Sequence, residues 1–152
     1  MTDSLNRDIS KIYVSSDHGG VGLKLYLIEM LSAIGYGLED LGVDDPNIRA
    51  DFPEITKRVT DKMLGDEKSR GIVICKHGGG VEIAANRFRH IRATRVSNPS
   101  QAREDRFHDD TNVIALGAEE IDAEMALLSV RAFLETPFDA IPRRIARLKM
   151  IS

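Results

Sequence analysis

Gly71–Asn86 reads GIVICKHGGGVEIAAN, and these sixteen residues decide the fold. Ile72, Val73 and Ile74 form a β-branched run that ends on the chain's single cysteine, Cys75. Lys76, His77 and three glycines (Gly78, Gly79 and Gly80) follow, and an apolar helical segment begins at Val81. A strand running through a glycine turn into a helix aims backbone N–H groups outward at a helix N-terminus, which favours negative charge. A thiol there sits where its anion is stabilised. A nucleophile or base, a cation and an anion hole within six residues weaken the local strand propensity. That arrangement points to catalysis.

The same grammar repeats on either side. Lys11–Ser15 is β-rich and ends at Ser16-Asp17-His18-Gly19-Gly20, a second strand followed by a glycine turn. Val21–Ile34 places Leu23, Leu27, Met30, Leu31 and Ile34 at helical spacing and stops at Gly35. Further strands are expected at Tyr36–Leu41, Ile91–Val96 and Asn112–Leu116. Helices are expected from a cap at Asp51 through Pro53 to about Leu64, and at Val81–Arg87, Pro99–Phe107, Glu119–Leu134 and Pro142–Ile151. Residues 42–50 read as a loop. Five strands alternating with helices predict an α/β fold: a three-layer, doubly wound, Rossmann-like domain with a five-stranded parallel sheet. Ligands of such sheets bind at the carboxyl ends of the strands. Asp17, His18 and Cys75–Gly80 all fall there.

Composition sets the outer bounds. The 152 residues suit one domain, residues 1–152, with 1–10 a flexible lead-in and 142–152 a basic terminal helix. A hydrophobic content of 42% with 30% charged residues describes a globular protein. No stretch approaches the roughly 20 apolar residues of a membrane span, and the polar N-terminus has no signal core, so a cytoplasmic location is expected. One cysteine excludes an internal disulfide and a multi-thiolate metal site. A net charge of -3 argues against nucleic acid as the partner.

Familiar phosphate motifs are absent. The chain has no GxxxxGK[ST], and Ile83 stands where a dinucleotide fingerprint places its third glycine. Val81 stands where a cysteine-phosphatase loop has its arginine. Arg143 and Arg147 are four apart and share one helix face, either a solvated basic face or a grip for phosphate.

Taken together, SSDHGG, ICKHGGGVEIAANRF, IRA, ARxxxxHDDTNVIALG and RRxxRL occur in one order from about Lys11 to Ile151. This resembles the type B ribose-5-phosphate isomerase family, which includes the galactose-6-phosphate isomerase subunits. The resemblance implies an aldose–ketose isomerase of a sugar phosphate that works through a cis-enediolate without metal or organic cofactor. It also implies a homodimer or tetramer whose sites are shared between subunits. By position, Cys75 is the base, His108 the acid that opens the sugar ring, and Asp17 a catalytic contact to the open chain beside His18. The backbone of Lys76, His77, Gly78, Gly79 and Gly80 holds the enediolate oxygens. Arg143 and Arg147 match the phosphate-binding arginines if one residue is inserted before Arg143.

Six positions depart from the family pattern. Lys76-His77 replaces Gly-Thr, Asp109 replaces an asparagine, Glu119 a phosphate-contacting arginine, Phe52 a tyrosine and Arg144 a histidine. They imply the same chemistry on a related or shifted substrate. A noncatalytic sugar-phosphate-binding protein, or a partner subunit of a heteromeric isomerase, is the second reading. A flavodoxin-like nucleotide module is the third, and it lacks any fingerprint.

Overall fold

Strands buried on both faces must be apolar along their whole length, and the central runs of this chain satisfy that. A computed structural model describes residues 5–152. It contains β1 (Ile12–Ser16), α1 (Val21–Ala33), β2 (Leu38–Asp40), α2 (Phe52–Met63), β3 (Arg70–Cys75), α3 (Gly79–Ala85), β4 (Ala93–Arg95), α4 (Pro99–Asp109), β5 (Val113–Gly117), α5 (Ala123–Glu135) and α6 (Pro142–Ile151). All strands are parallel, in the order β2-β1-β3-β5-β4. The five-stranded α/β fold is as the alternation of elements predicted.

Alternation along each strand divides the core in two. Ile12, Val14, Ile72, Ile74, Ile114 and Leu116 face α1, α4 and α5, where Leu27, Leu31, Ala102, Val130 and Phe133 complete one layer. Tyr13, Val73, Cys75, Val113 and Ala115 face the other way, onto Ile55, Val59 and Met63 of α2 and Val81 and Ala85 of α3. Cys75 is therefore the last inward residue of its layer.

The helix ends follow local chemistry. Gly35 takes φ +109°, and the amides of Gly35 and Tyr36 donate to Ser32 O and Leu31 O, closing α1. Asn98 and Asp122 cap α4 and α5 by accepting the Gln101 and Met125 amides at 2.8 Å. Asp51 does not cap α2 with its side chain. Its carbonyl accepts the Glu54 and Ile55 amides, and its carboxylate faces Arg49 at 3.6 Å.

Other boundaries shift for physical reasons. The edge strands β2 and β4 have three residues each, shorter than expected, because each has one neighbour to bond. The helix expected from Glu119 starts at Ala123, because Ala118 and Glu119 donate instead to Cys75 O and Lys76 O. α4 continues through Asp109, so His108 lies on a helix rather than in a loop. Residues 5–10 pack against the body: Leu5 approaches Gly35, and the Asn6 side chain donates to Leu134 O. The remainder of the expected lead-in, residues 1–4, lies outside the described residues. Among the described residues, no helix is long and apolar enough to cross a membrane.

Candidate active site

The chain leaves β1 for β2 on one side, then returns to lay β3 on the other. The carboxyl ends of β1 and β3 thus border the crevice where winding reverses. Asp17 and Cys75 lie at those two ends. Asp17 is buried, and its Oδ1 accepts the Gly19 amide at 2.9 Å, capping a short 3-10 turn over His18–Gly20. His18 is anchored from the loop after β2, with Nδ1 3.2 Å from Ala50 O and 3.4 Å from Ala50 N. Either tautomer therefore has a partner, and Nε2 is left for a ligand.

Cys75 is 7% exposed, and its Sγ accepts the Gly78 amide at 3.1 Å. That N–H is oriented to stabilise negative charge on sulfur. The turn that supplies it requires glycine. Gly78 takes φ +84°, and a Cβ there would come 2.9 Å from the Gly117 amide nitrogen. Gly117 in turn has room for no side chain, since its Cβ would lie 2.5 Å from the His77 carbonyl carbon. The turn thus rests directly on the end of β5. Its other flank meets Phe52, whose ring would be 3.2 Å from a Cβ on Gly80. Lys76 crosses the crevice: its Cγ would stand 2.5 Å from a Cβ on Gly19. His77 Nδ1 bonds Glu120 Oε1 at 2.7 Å. Asp17, His18, Lys76, His77, Gly78, Gly79, Gly80 and Glu119 therefore gather with Cys75 at the carboxyl end of the sheet.

The remaining expected residues gather at the other end. His108 occupies the last turn of α4, with Nε2 3.0 Å from Glu104 Oε2 and its ring edge-on to Phe107. Asp109 and Arg147 line a cavity of about 450 Å³ beside Ile91 and Leu148. Arg143 and Arg147 are exposed on α6, and among the described residues neither guanidinium has a hydrogen bond or ion pair. Arg144 is the structural member of that trio. It is buried, bonds the Asp139 carboxylate, and lies 5.0 Å from the Phe107 ring centre.

Strand register shows that one chain cannot unite the two groups. Cys75 pairs with Gly117, the last residue of β5, whereas His108 precedes Val113, the first, which pairs with Gly71. Four strand steps at about 3.3 Å put roughly 13 Å of sheet between them.

A buried arginine cluster holds the amino end in place, and sequence reasoning did not find it. Arg106 donates to Asp110 Oδ1 at 2.9 Å and to Thr111 O at 2.5 Å, while Arg92 Nη2 reaches Asp110 Oδ2 at 3.1 Å. Burial, and then the charge of Arg106, push Arg70 down to about 10. Lys24 was also missed: it is fully buried and donates to Asp40, Asp44 and Val43 O, pinning the loop that leads to Ala50. Burial at an apolar helical position hides both from pattern reading.

Comparison with known proteins gives one consistent picture. The family model described as Ribose/Galactose Isomerase matches residues 12–151. Ribose-5-phosphate isomerase B of Escherichia coli is 36% identical over 131 residues, which cover 86% of this chain and 87% of the relative. Solved structures of the isomerase from Anaplasma phagocytophilum (TM-score 0.89, 33% identity, 97% of this chain and 99% of that one) and Thermotoga maritima (0.88, 38%, 93% and 96%) share the fold. So does the Mycoplasma genitalium enzyme with bound ribulose-5-phosphate (0.88, 31%, 93% of each chain).

Proposed function

The chain belongs to the ribose/galactose isomerase family, and on that premise we propose that it interconverts an aldose and a ketose phosphate at Cys75. The substrate is ribose 5-phosphate with ribulose 5-phosphate, or a close relative, and the reaction needs no metal. The observation that carries this reading is the Cys75 thiol at the winding reversal, accepting the Gly78 amide from a turn that only glycine can form.

In the forward direction the Cys75 thiolate takes the proton from C2 of the open-chain aldose. The electron pair moves to form the C1–C2 double bond, and charge develops on O1. Preorganised N–H groups of the Gly78–Gly80 turn stabilise that oxyanion. The O2 proton passes to O1, and the thiol then returns its proton to C1 as the O2 electron pair forms the C2 carbonyl, regenerating the thiolate. Asp17 and His18 face the chain of hydroxyls across the crevice.

A cyclic substrate must first open. His108 donates a proton to the ring oxygen as its bond to C1 breaks, while the C1 hydroxyl loses its proton to water. Because His108 and Cys75 sit at opposite ends of the sheet, the His108 at each site comes from a second copy of the chain. That copy also brings Asp109, Arg143 and Arg147. The two arginines lie one helical turn apart with their forks unengaged, suited to a phosphate. The functional unit is therefore at least a homodimer.

A turnover screen over four-, five- and six-carbon sugar phosphates, with chelator present and no metal added, tests the reading. Turnover of at least one pentose or hexose phosphate is expected, and Cys75→Ala should lower kcat at least about 100-fold. No turnover of any of them, or a Cys75→Ala variant as active as the parent, would overturn it.

A further inference from the structure

One cation at the carboxyl end of the sheet has no role in the chemistry above. Arg95 ends β4 on the same face as Cys75, with β5 between them. Its backbone is held on both sides, the amide by Glu82 and the carbonyl by Gln101 Nε2 at 3.0 Å. Its side chain runs along the glycine turn: Cδ would stand 3.1 Å from a Cβ on Gly78, and Nη1 3.5 Å from one on Gly79. Among the described residues the guanidinium has no hydrogen bond and no ion pair. Arg70, Arg92 and Arg106, by contrast, are engaged by carbonyls or carboxylates.

The guanidinium opens into a cavity of about 310 Å³ shared with His77, Ser97, Gly117 and Glu120. Glu120 bonds His77 at Nδ1, which fixes the ring and leaves Nε2 unbonded. Ser97 is already occupied by Gln101 Oε1. The groups left to meet a ligand are thus a five-donor planar fork, the second oxygen of Glu120, and the His77 Nε2, which donates to an anion when the ring is an imidazolium paired with Glu120. Their geometry suits a tetrahedral oxyanion. The cavity adjoins the turn whose Gly78 amide reaches the Cys75 sulfur, so an acyclic molecule with its reacting carbons at the thiol can extend its anionic end over the turn.

We propose that Arg95, with His77, forms the binding subsite for the substrate's phosphate within the Cys75-bearing subunit, and that Arg95 selects for phosphorylated sugars. The proposal rests on the isomerase reading, which names the substrate. The arginines of the second copy would close on the same phosphate from outside.

Two measurements separate this proposal from that premise. The first is steady-state kinetics of Arg95→Met and Arg95→Lys on the best substrate of the screen. Arg95→Met should raise KM about 10-fold or more with kcat within about threefold, and Arg95→Lys should fall between. The second is calorimetric titration with inorganic phosphate, which requires no turnover. The parent protein and Cys75→Ala should bind it equally, Arg95→Met about 10-fold more weakly, and His77→Asn by a smaller factor. Unchanged KM and unchanged phosphate affinity in Arg95→Met would overturn the proposal, leaving Arg95 a solvated surface residue. If the parent turns over no sugar phosphate yet binds inorganic phosphate through Arg95, the isomerase reading fails and the subsite stands.

Discussion

Mixing two inactive variants should restore catalysis. On the proposed mechanism, Cys75→Ala removes the proton-transfer base at the carboxyl end of the sheet, and His108→Asn removes the ring-opening acid at the amino end, roughly 13 Å of sheet away. Each homodimer then carries two broken sites, with activity on a cyclising pentose phosphate lowered by at least about 100-fold. In a mixed dimer the two lesions fall in one site. The other site takes Cys75 from one subunit and His108 from the other, and is intact. Equal amounts exchanged at random give half mixed dimers with one good site of two, so about 25% of parental activity returns. Co-expression with two affinity tags and sequential purification isolates the mixed species, in which about half of the parental activity is expected. Mass spectrometry confirms the pairing, and a mixture of Cys75→Ala with Asp17→Asn, both at the same end, serves as the control. If verified mixed dimers are no more active than their parents, Cys75 and His108 do not meet across a subunit boundary, and the shared-site reasoning is wrong.

Three further outcomes follow from the geometry. Gly78→Ala must accept a left-handed φ, at a cost of roughly 1–2 kcal/mol, and also displace Gly117; thermal melts should show a folded, weakened protein with kcat at least about 10-fold lower, and unchanged activity would mean that the turn does not orient the thiol. Lys24→Ala leaves Asp40 and Asp44 without their buried cation, so denaturant titration should show a loss of about 3 kcal/mol, with Lys24→Met losing less because it keeps the aliphatic packing; a loss under about 1 kcal/mol would rule out a structural role for the pair. Asp105 holds its proton more tightly in the folded chain, chiefly through burial and then through neighbouring carboxylates. Its contribution is favourable at low pH and is lost as pH rises from the ordinary carboxylate range through the raised value. Asp105→Asn should therefore melt higher than the parent near pH 7, with the advantage shrinking toward about pH 4, and a pH-independent difference would contradict the assignment.

Much of this molecule is written locally. Short β-branched runs, glycine stops and 3.6-residue periodicity are near-neighbour properties, and they placed all five strands and six helices in order. Boundaries at the sheet edges escaped, because β2 and β4 end where a partner strand ends, and no residue inside them records that. The same holds for Glu119, drawn out of a helix by a carbonyl 43 positions earlier.

The carboxyl-end half of the candidate site was equally legible. Asp17, His18 and Cys75–Gly80 directly follow their strands, so finding the strands located the residues. Their partners were not legible: Ala50 behind His18, Gly117 beneath the turn, Glu120 on His77 and Arg95 along Gly79 are 16 to 43 positions from what they touch. Arg95 in particular reads as one more surface cation until β4 is set two places from β3. The order of the strands, not their existence, creates that neighbourhood, and it arises from packing α3 and α4 on opposite faces. By the same rule His108, Arg143 and Arg147 are assigned to the end of the sheet away from Cys75. The sequence determines which chemical groups the protein owns and the strand or helix each one follows. Only the tertiary structure decides which groups share an end of the sheet, because parallel register is set by side chains distant in sequence that must fill the same two layers.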